Sequence, residues 1–188
     1  DYITKKHGDI KSRNKNVIQD YASKFGISET LPSYLSMSLG AGETDLLSLT
    51  NAYGIIVNGG KKIIPTLVDR IQDRRGTTIF RHDQRECKNC NGSKSNSANI
   101  PLVATKDSRE KIISSSSAYQ MVSMLQGAVK RGTGIIINSL GKNLAGKTGT
   151  TNANTDAWFI GFSSDLVAGI FVGFDDPRPL GYKETGSS

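Results

Sequence analysis

The sequence has 188 residues, 36% hydrophobic and 22% charged, with a formal net charge of +7. That balance suits one domain with a core of its own and excludes a disordered tail. No apolar run reaches the ~20 residues of a membrane helix, the N-terminus DYITKKHGDIKSRN is polar throughout so that any export signal is expected outside it, and the basic residues are scattered without the pattern of a nucleic-acid binder.

Along the chain, Val17, Ile18, Tyr21, Ala22 and Phe25 have helical spacing, and Gly26 follows as a stop. Leu31 to Leu39 reads as a loop or short extended segment ending in Gly40-Ala41-Gly42. Thr44 is expected to cap a second helix with Leu46, Leu47, Leu49, Tyr53 and Val57 on its apolar face, ended by Asn58-Gly59-Gly60. Lys62 to Arg70, with Pro65 inside, and Thr77 to Arg81 follow, and the turn Asp73-Arg74-Arg75-Gly76 makes them a β-hairpin at a sheet edge.

Residues 83–99 form a polar stretch expected to be loop, and Cys87-Lys88-Asn89-Cys90 lies within it. Zinc would need a second pair of ligands, while His7 and His82 stand alone, so no metal site is expected. A redox pair normally opens a helix in a βαβ unit, which this run does not resemble. In an oxidising compartment the two thiols could close a small structural disulfide; otherwise their spacing is incidental.

Ser117 is expected to cap a further helix with Met121, Val122, Leu125 and Val129 on one face, terminated by Arg131-Gly132-Thr133-Gly134. Three strands are predicted in the tail, over Leu144 to Thr150, Asp156 to Phe162 and Leu166 to Phe174, the last two joined at Ser163-Ser164-Asp165. Short turns between neighbouring strands imply an α+β fold, an antiparallel sheet flanked by helices.

The sharpest chemical signal is Gly146-Lys147-Thr148-Gly149-Thr150-Thr151, on the first of these strands. Its lysine-threonine-glycine word is an established motif of penicillin-binding proteins and class A β-lactamases. Leu39-Gly40-Ala41-Gly42-Glu43, the Tyr119-Gln120-Met121-Val122 helix, Asp156-Ala157-Trp158-Phe159-Ile160-Gly161-Phe162 and Gly173-Phe174-Asp175-Asp176-Pro177-Arg178-Pro179 accompany it. Together these words resemble the C-terminal part of the transpeptidase domain of class A penicillin-binding proteins, the bifunctional enzymes that polymerise and cross-link peptidoglycan. The resemblance covers most of residues 1–188 and implies an incomplete β-lactamase/transpeptidase-like fold.

It also implies roles. A peptide ending in a free carboxylate needs a cation and hydroxyl donors beside its scissile amide: Lys147 would supply the charge, and Thr148 and Thr150 the hydroxyls. Gly149 would leave room for substrate along the strand edge, and the Thr150 backbone N–H would be an oxyanion donor. No cofactor is implied. The family attacks with a serine in a Ser-x-x-Lys word, followed along the chain by Ser-x-Asn and then Lys-Thr-Gly. Ser12-Arg13-Asn14 matches the second word, which would place Ser12 in the proton relay and Asn14 on the substrate amide. Ser12-Arg13-Asn14-Lys15 overlaps that second word, while Ser108-Arg109-Glu110-Lys111 and Ser139-Leu140-Gly141-Lys142 come after it, against the family order. None of the three is expected to be the nucleophile, which is expected upstream of Asp1. The interval from Asn14 to Tyr21 is shorter than the family's, so a break or a departure from the family conformation is expected near Asn14-Lys15.

The function so implied is D,D-transpeptidation of D-Ala-D-Ala stem peptides by serine acyl transfer, with stem peptides and β-lactams as partners and no nucleic acid. It would act at the periplasmic face of the bacterial inner membrane, with a membrane anchor outside this chain. A D,D-carboxypeptidase or β-lactamase-like hydrolase and a non-catalytic penicillin-sensing or wall-binding module are the alternatives. Asp175-Asp176-Pro177-Arg178-Pro179 resembles class A transpeptidases and speaks against the hydrolase. By itself the chain is expected to be silent for want of the nucleophile.

Overall fold

The computed structural model describes residues 17–32, 34–85, 87–88, 104–105, 107–181 and 183–187. They form two compact units, one between Ile64 and Glu110 and the other from the residues on either side of it.

In the larger unit, helix α1 (residues 17–24) ends as its spacing predicts. Gly26 adopts φ 71°, and the N–H groups of Gly26 and Ile27 donate to Ser23 O and Ala22 O, both at 2.9 Å. Leu35–Leu39 forms a 3-10 helix where a loop or extended segment was expected, closed by Gly40 at φ 80°. Helix α2 (Leu46–Val57) is capped by Asp45, whose carboxylate accepts from Ser48 N at 2.8 Å. Thr44, the expected cap, instead donates its hydroxyl to Ile27 O at 3.0 Å.

Helix α3 (Ser115–Arg131) begins two residues before Ser117. Ser114 is its cap, accepting from Ser117 N at 3.0 Å, so the expected cap is the capped residue. Its buried stripe is Ala118, Leu125 and Val129 with Val122 beside them, while Met121 is exposed. Gly132 N and Gly134 N both bond Ala128 O at 3.1 Å, and a 3-10 helix (Ile135–Leu140) follows that the sequence reading did not anticipate.

Strands β5 (Ala145–Thr150), β6 (Asp156–Phe162) and β7 (Val167–Gly173) form a three-stranded antiparallel sheet in that order, as predicted. Register runs from Ala145↔Phe162 to Thr150↔Ala157 and from Asp156↔Gly173 to Phe162↔Val167. Successive side chains take opposite faces. One face carries Ala145, Ile160 and Phe162, packed with Leu125 of α3 and Tyr53 and Val57 of α2. Tyr53 meets Phe162 edge-on with ring centroids 6.4 Å apart. Burying Ile160, Phe162 and Leu125 contributes about 1.5–3 kcal/mol each, so this face holds the sheet to its helices. The other face presents Phe159, Ile170 and Val172, and Ile170 is 54% exposed.

The smaller unit contains the predicted hairpin, β1 (Arg70–Gln72) with β2 (Thr78–Arg81). Asp73 Oδ1 accepts from Arg75 N and Thr77 N at 2.8 Å across its turn. Pairing does not extend back to Lys62, since Pro65 has no N–H for a ladder. Within the expected polar loop, Cys87–Lys88 (β3) pairs with Ala104–Thr105 (β4), a short departure from that reading. Cys90 and any pairing of the two cysteines lie outside the described residues. Asp83 chelates the Arg85 guanidinium, which holds its carboxyl well below the usual range.

Candidate active site

Strand β5 is built from β-branched threonines and glycines, and the glycines let it lie close to its neighbour. A Cβ on Gly146 would come 2.7 Å from Ile160 O. The Thr151 N–H bonds Asp156 O at 3.1 Å, which fixes the phase of the antiparallel ladder. Alternate pairs exchange hydrogen bonds, so Lys147 and Gly149 turn their peptide groups toward β6. Thr148 and Thr150 turn theirs to the outer edge of β5, where no described strand pairs. The Thr150 N–H is thereby directed to an open sheet edge.

Side chains follow the same alternation. Lys147 leaves β5 on the helix-bearing face but remains exposed, and its ammonium donates to Thr148 O at 2.8 Å, one of the outward carbonyls. Thr148 leaves on the opposite face, where its hydroxyl lies 2.7 Å from that of Thr133. Thr150 shares this face, and its hydroxyl accepts from Gly186 N at 3.1 Å. The cation and the two hydroxyls therefore flank one strand edge from opposite faces.

Behind Thr148 a pocket of about 220 Å³ opens on the sheet face away from α2 and α3. Ile137, Phe159, Ile170 and Val172 make its apolar wall, with the hydroxyls of Thr133, Thr148 and Ser187 among its lining. Beyond β5 the chain turns through Asn152–Asn154, where Ala153 (φ 60°) and Asn154 (φ 53°) are both left-handed. Asn154 O accepts from Leu180 N at 2.9 Å, tying the segment after β7 to this turn.

Of the expected site residues, the structure brings Lys147, Thr148, Gly149 and Thr150 to one edge. Ser12 and Asn14, with the junction at Asn14-Lys15, lie outside the described residues. Ser139, within the 3-10 helix Ile135–Leu140, donates its hydroxyl to Ile136 O at 2.8 Å. In the sequence Thr133 stands out only as part of the helix stop Arg131-Gly132-Thr133-Gly134. Its approach to Thr148 joins residues 15 apart, and no periodicity signals such a contact.

A family model for the penicillin binding protein transpeptidase domain matches residues 7–183. Penicillin-binding protein 1A of Rickettsia bellii is 43% identical over 197 residues, covering 99% of this chain and 25% of that protein. The chain thus spans about a quarter of that relative's length. The crystal structure of penicillin-binding protein 1A from Haemophilus influenzae superposes with a TM-score of 0.69 at 31% identity, over 88% of this chain and 27% of that one. The PonA1 protein of Mycobacterium tuberculosis in complex with penicillin V shares the fold, with a TM-score of 0.63 at 21% identity over 89% of this chain and 44% of that one.

Proposed function

This chain belongs to the penicillin-binding protein transpeptidase domain family, and on that premise we propose that its β5 edge binds the acyl donor of a serine-type D,D-transpeptidase in peptidoglycan cross-linking. The observation that carries the reading is the conjunction at one strand edge of the Lys147 ammonium, the Thr148 and Thr150 hydroxyls and the outward Thr150 N–H.

Each feature fits a step of acyl transfer. A D-Ala-D-Ala stem peptide lies along β5 as an added strand, with its terminal carboxylate between the two threonine hydroxyls and within the field of Lys147. The attacking serine oxygen bonds the penultimate carbonyl carbon, and its proton passes to the lysine of the Ser-x-x-Lys word. The oxyanion so formed receives the Thr150 N–H, a donor whose loss typically costs about 3 kcal/mol. Collapse breaks the amide bond and releases D-alanine, whose nitrogen takes the proton. The amine of a second stem peptide then attacks the ester carbonyl, the new amide forms as the serine C–O bond breaks, and the amine's proton passes to the departing serine oxygen. A β-lactam enters by the same route, with its ring amide in place of the scissile bond.

The nucleophile in this reading is none of the serines of residues 1–188; Ser12 and Asn14 serve as relay and substrate ligand. On this reading the enzyme acts at the periplasmic face of the bacterial inner membrane. No helix among the described residues is long and apolar enough to cross a membrane.

Fluorescent penicillin applied to the protein carrying this sequence at full length tests the reading. Mass spectrometry is expected to find the adduct on a serine outside residues 1–188, and the 188-residue polypeptide alone is expected to stay unlabelled. An adduct on any serine of this chain would overturn the assignment of the nucleophile.

A further inference from the structure

We propose that Thr133 is a positioning residue of the carboxylate site: its hydroxyl donates to Thr148 Oγ1 and so reserves the single Thr148 proton for the anion. The inference rests on the reading of Thr148 as a carboxylate ligand.

The two oxygens lie 2.7 Å apart, and geometry alone allows either to be the donor. Each hydroxyl has one proton and can accept two hydrogen bonds, whereas a carboxylate only accepts. Were Thr148 to donate to Thr133, it would meet the anion with a lone pair. A bound carboxylate therefore selects the chain Thr133 to Thr148 to anion, in which each bond polarises the next.

Thr133 is held for this task by its backbone. The N–H groups of Gly132 and Gly134, on either side of it, both bond Ala128 O at 3.1 Å. A Cβ at Gly132 would lie 2.8 Å from that oxygen, which keeps the position small. Among the other pocket-lining hydroxyls, Thr185 and Ser187 bond each other at 2.9 Å, and the remaining wall is largely apolar. Thr133 is thus the described side chain placed to donate to Thr148.

The test uses the full-length protein and measures the second-order rate of acylation by fluorescent penicillin for Thr133→Val, Thr133→Ser, Thr148→Val and the Thr133→Val/Thr148→Val double variant. Thr133→Val is expected to lower the rate about three- to tenfold, the worth of one such hydrogen bond. Thr133→Ser is expected to restore it, and the double variant to fall no further than Thr148→Val. A Thr133→Val rate equal to the parent's beside a slowed Thr148→Val would overturn the inference and leave the carboxylate site intact. Equal losses from Thr133→Val in both backgrounds would also overturn it, as a merely structural effect. A Thr148→Val variant that acylates normally would instead refute the underlying reading. If Thr133→Val does not fold, Thr133→Cys, similar in size and a weak donor, takes its place in the cycle.

Discussion

The ammonium of Lys147 lies 2.8 Å from the carbonyl oxygen of Thr148, although the two side chains leave β5 on opposite faces. The contact exists because the Thr148 carbonyl points outward from the sheet, so the long lysine stem can fold around the edge to reach it. The charge is thereby tethered to the outer edge of β5, the same edge to which the Thr150 N–H is directed. An anion arriving at the edge would meet both, and exchange of the carbonyl for a carboxylate would strengthen the lysine's hydrogen bond.

Lys147→Met keeps the stem and removes the charge. Acylation of the full-length protein by penicillin is expected to slow roughly tenfold to a hundredfold, the range for a charge-assisted hydrogen bond. Its melting temperature should hardly change, because the side chain is exposed. Unaltered acylation kinetics would remove Lys147 from the site.

Helix α2 packs closely against β7 at Gly169, where an added Cβ would collide with the Thr50 hydroxyl and stand 3.1 Å from Leu46 Cδ1. Gly169→Ala is expected to destabilise the larger unit by about 1–3 kcal/mol through overpacking. Chemical denaturation measures the loss, and an unshifted midpoint would mean that helix and sheet separate without cost.

Ala153 holds φ 60°, a conformation that strains a residue with a Cβ. Ala153→Gly is expected to be neutral or to stabilise by up to about 1 kcal/mol, since glycine's greater freedom in the unfolded chain offsets part of the relief. A clear loss of thermal stability in this variant would show that the methyl group makes contacts worth more than the strain.

The Asp45 carboxylate is held below its ordinary range by hydrogen bonds from Ser48 at the start of α2. A depressed folded-state value means that the cap's charge-linked stability is complete above the unfolded value. It fades as pH drops below about 3.9, the ordinary aspartate value, and through the folded one. Asp45→Asn retains a capping oxygen without the titration, so its stability should depend less steeply on pH in that acid window. Identical acid limbs for parent and variant in pH-dependent unfolding would contradict this.

What the sequence could disclose here was set by the range of each interaction. Strands β6 and β7 show themselves through apolar runs and the turn at Ser163 to Asp165, and β5 through its lysine-threonine-glycine word, all of them local signals. The caps were misread by one residue at Asp45 and three at Ser114, because neighbouring threonines and serines offer the same chemistry and only three-dimensional reach chooses among them. The 3-10 helices over Leu35–Leu39 and Ile135–Leu140 leave too short a pattern to detect. In the site, the lysine-threonine-glycine word was legible. A period of two already separates the Lys147 and Thr148 side chains onto different faces, a consequence the motif alone conceals. Thr133 reaches Thr148 only through the fold.

The most direct measurement is a crystal structure of the full-length protein acylated by penicillin. The ligand carboxylate is predicted within hydrogen-bonding distance of the Thr148 and Thr150 hydroxyls, with its former lactam carbonyl oxygen accepting from the Thr150 N–H. An adduct whose carboxylate and carbonyl both lie away from the outer edge of β5 would contradict the account.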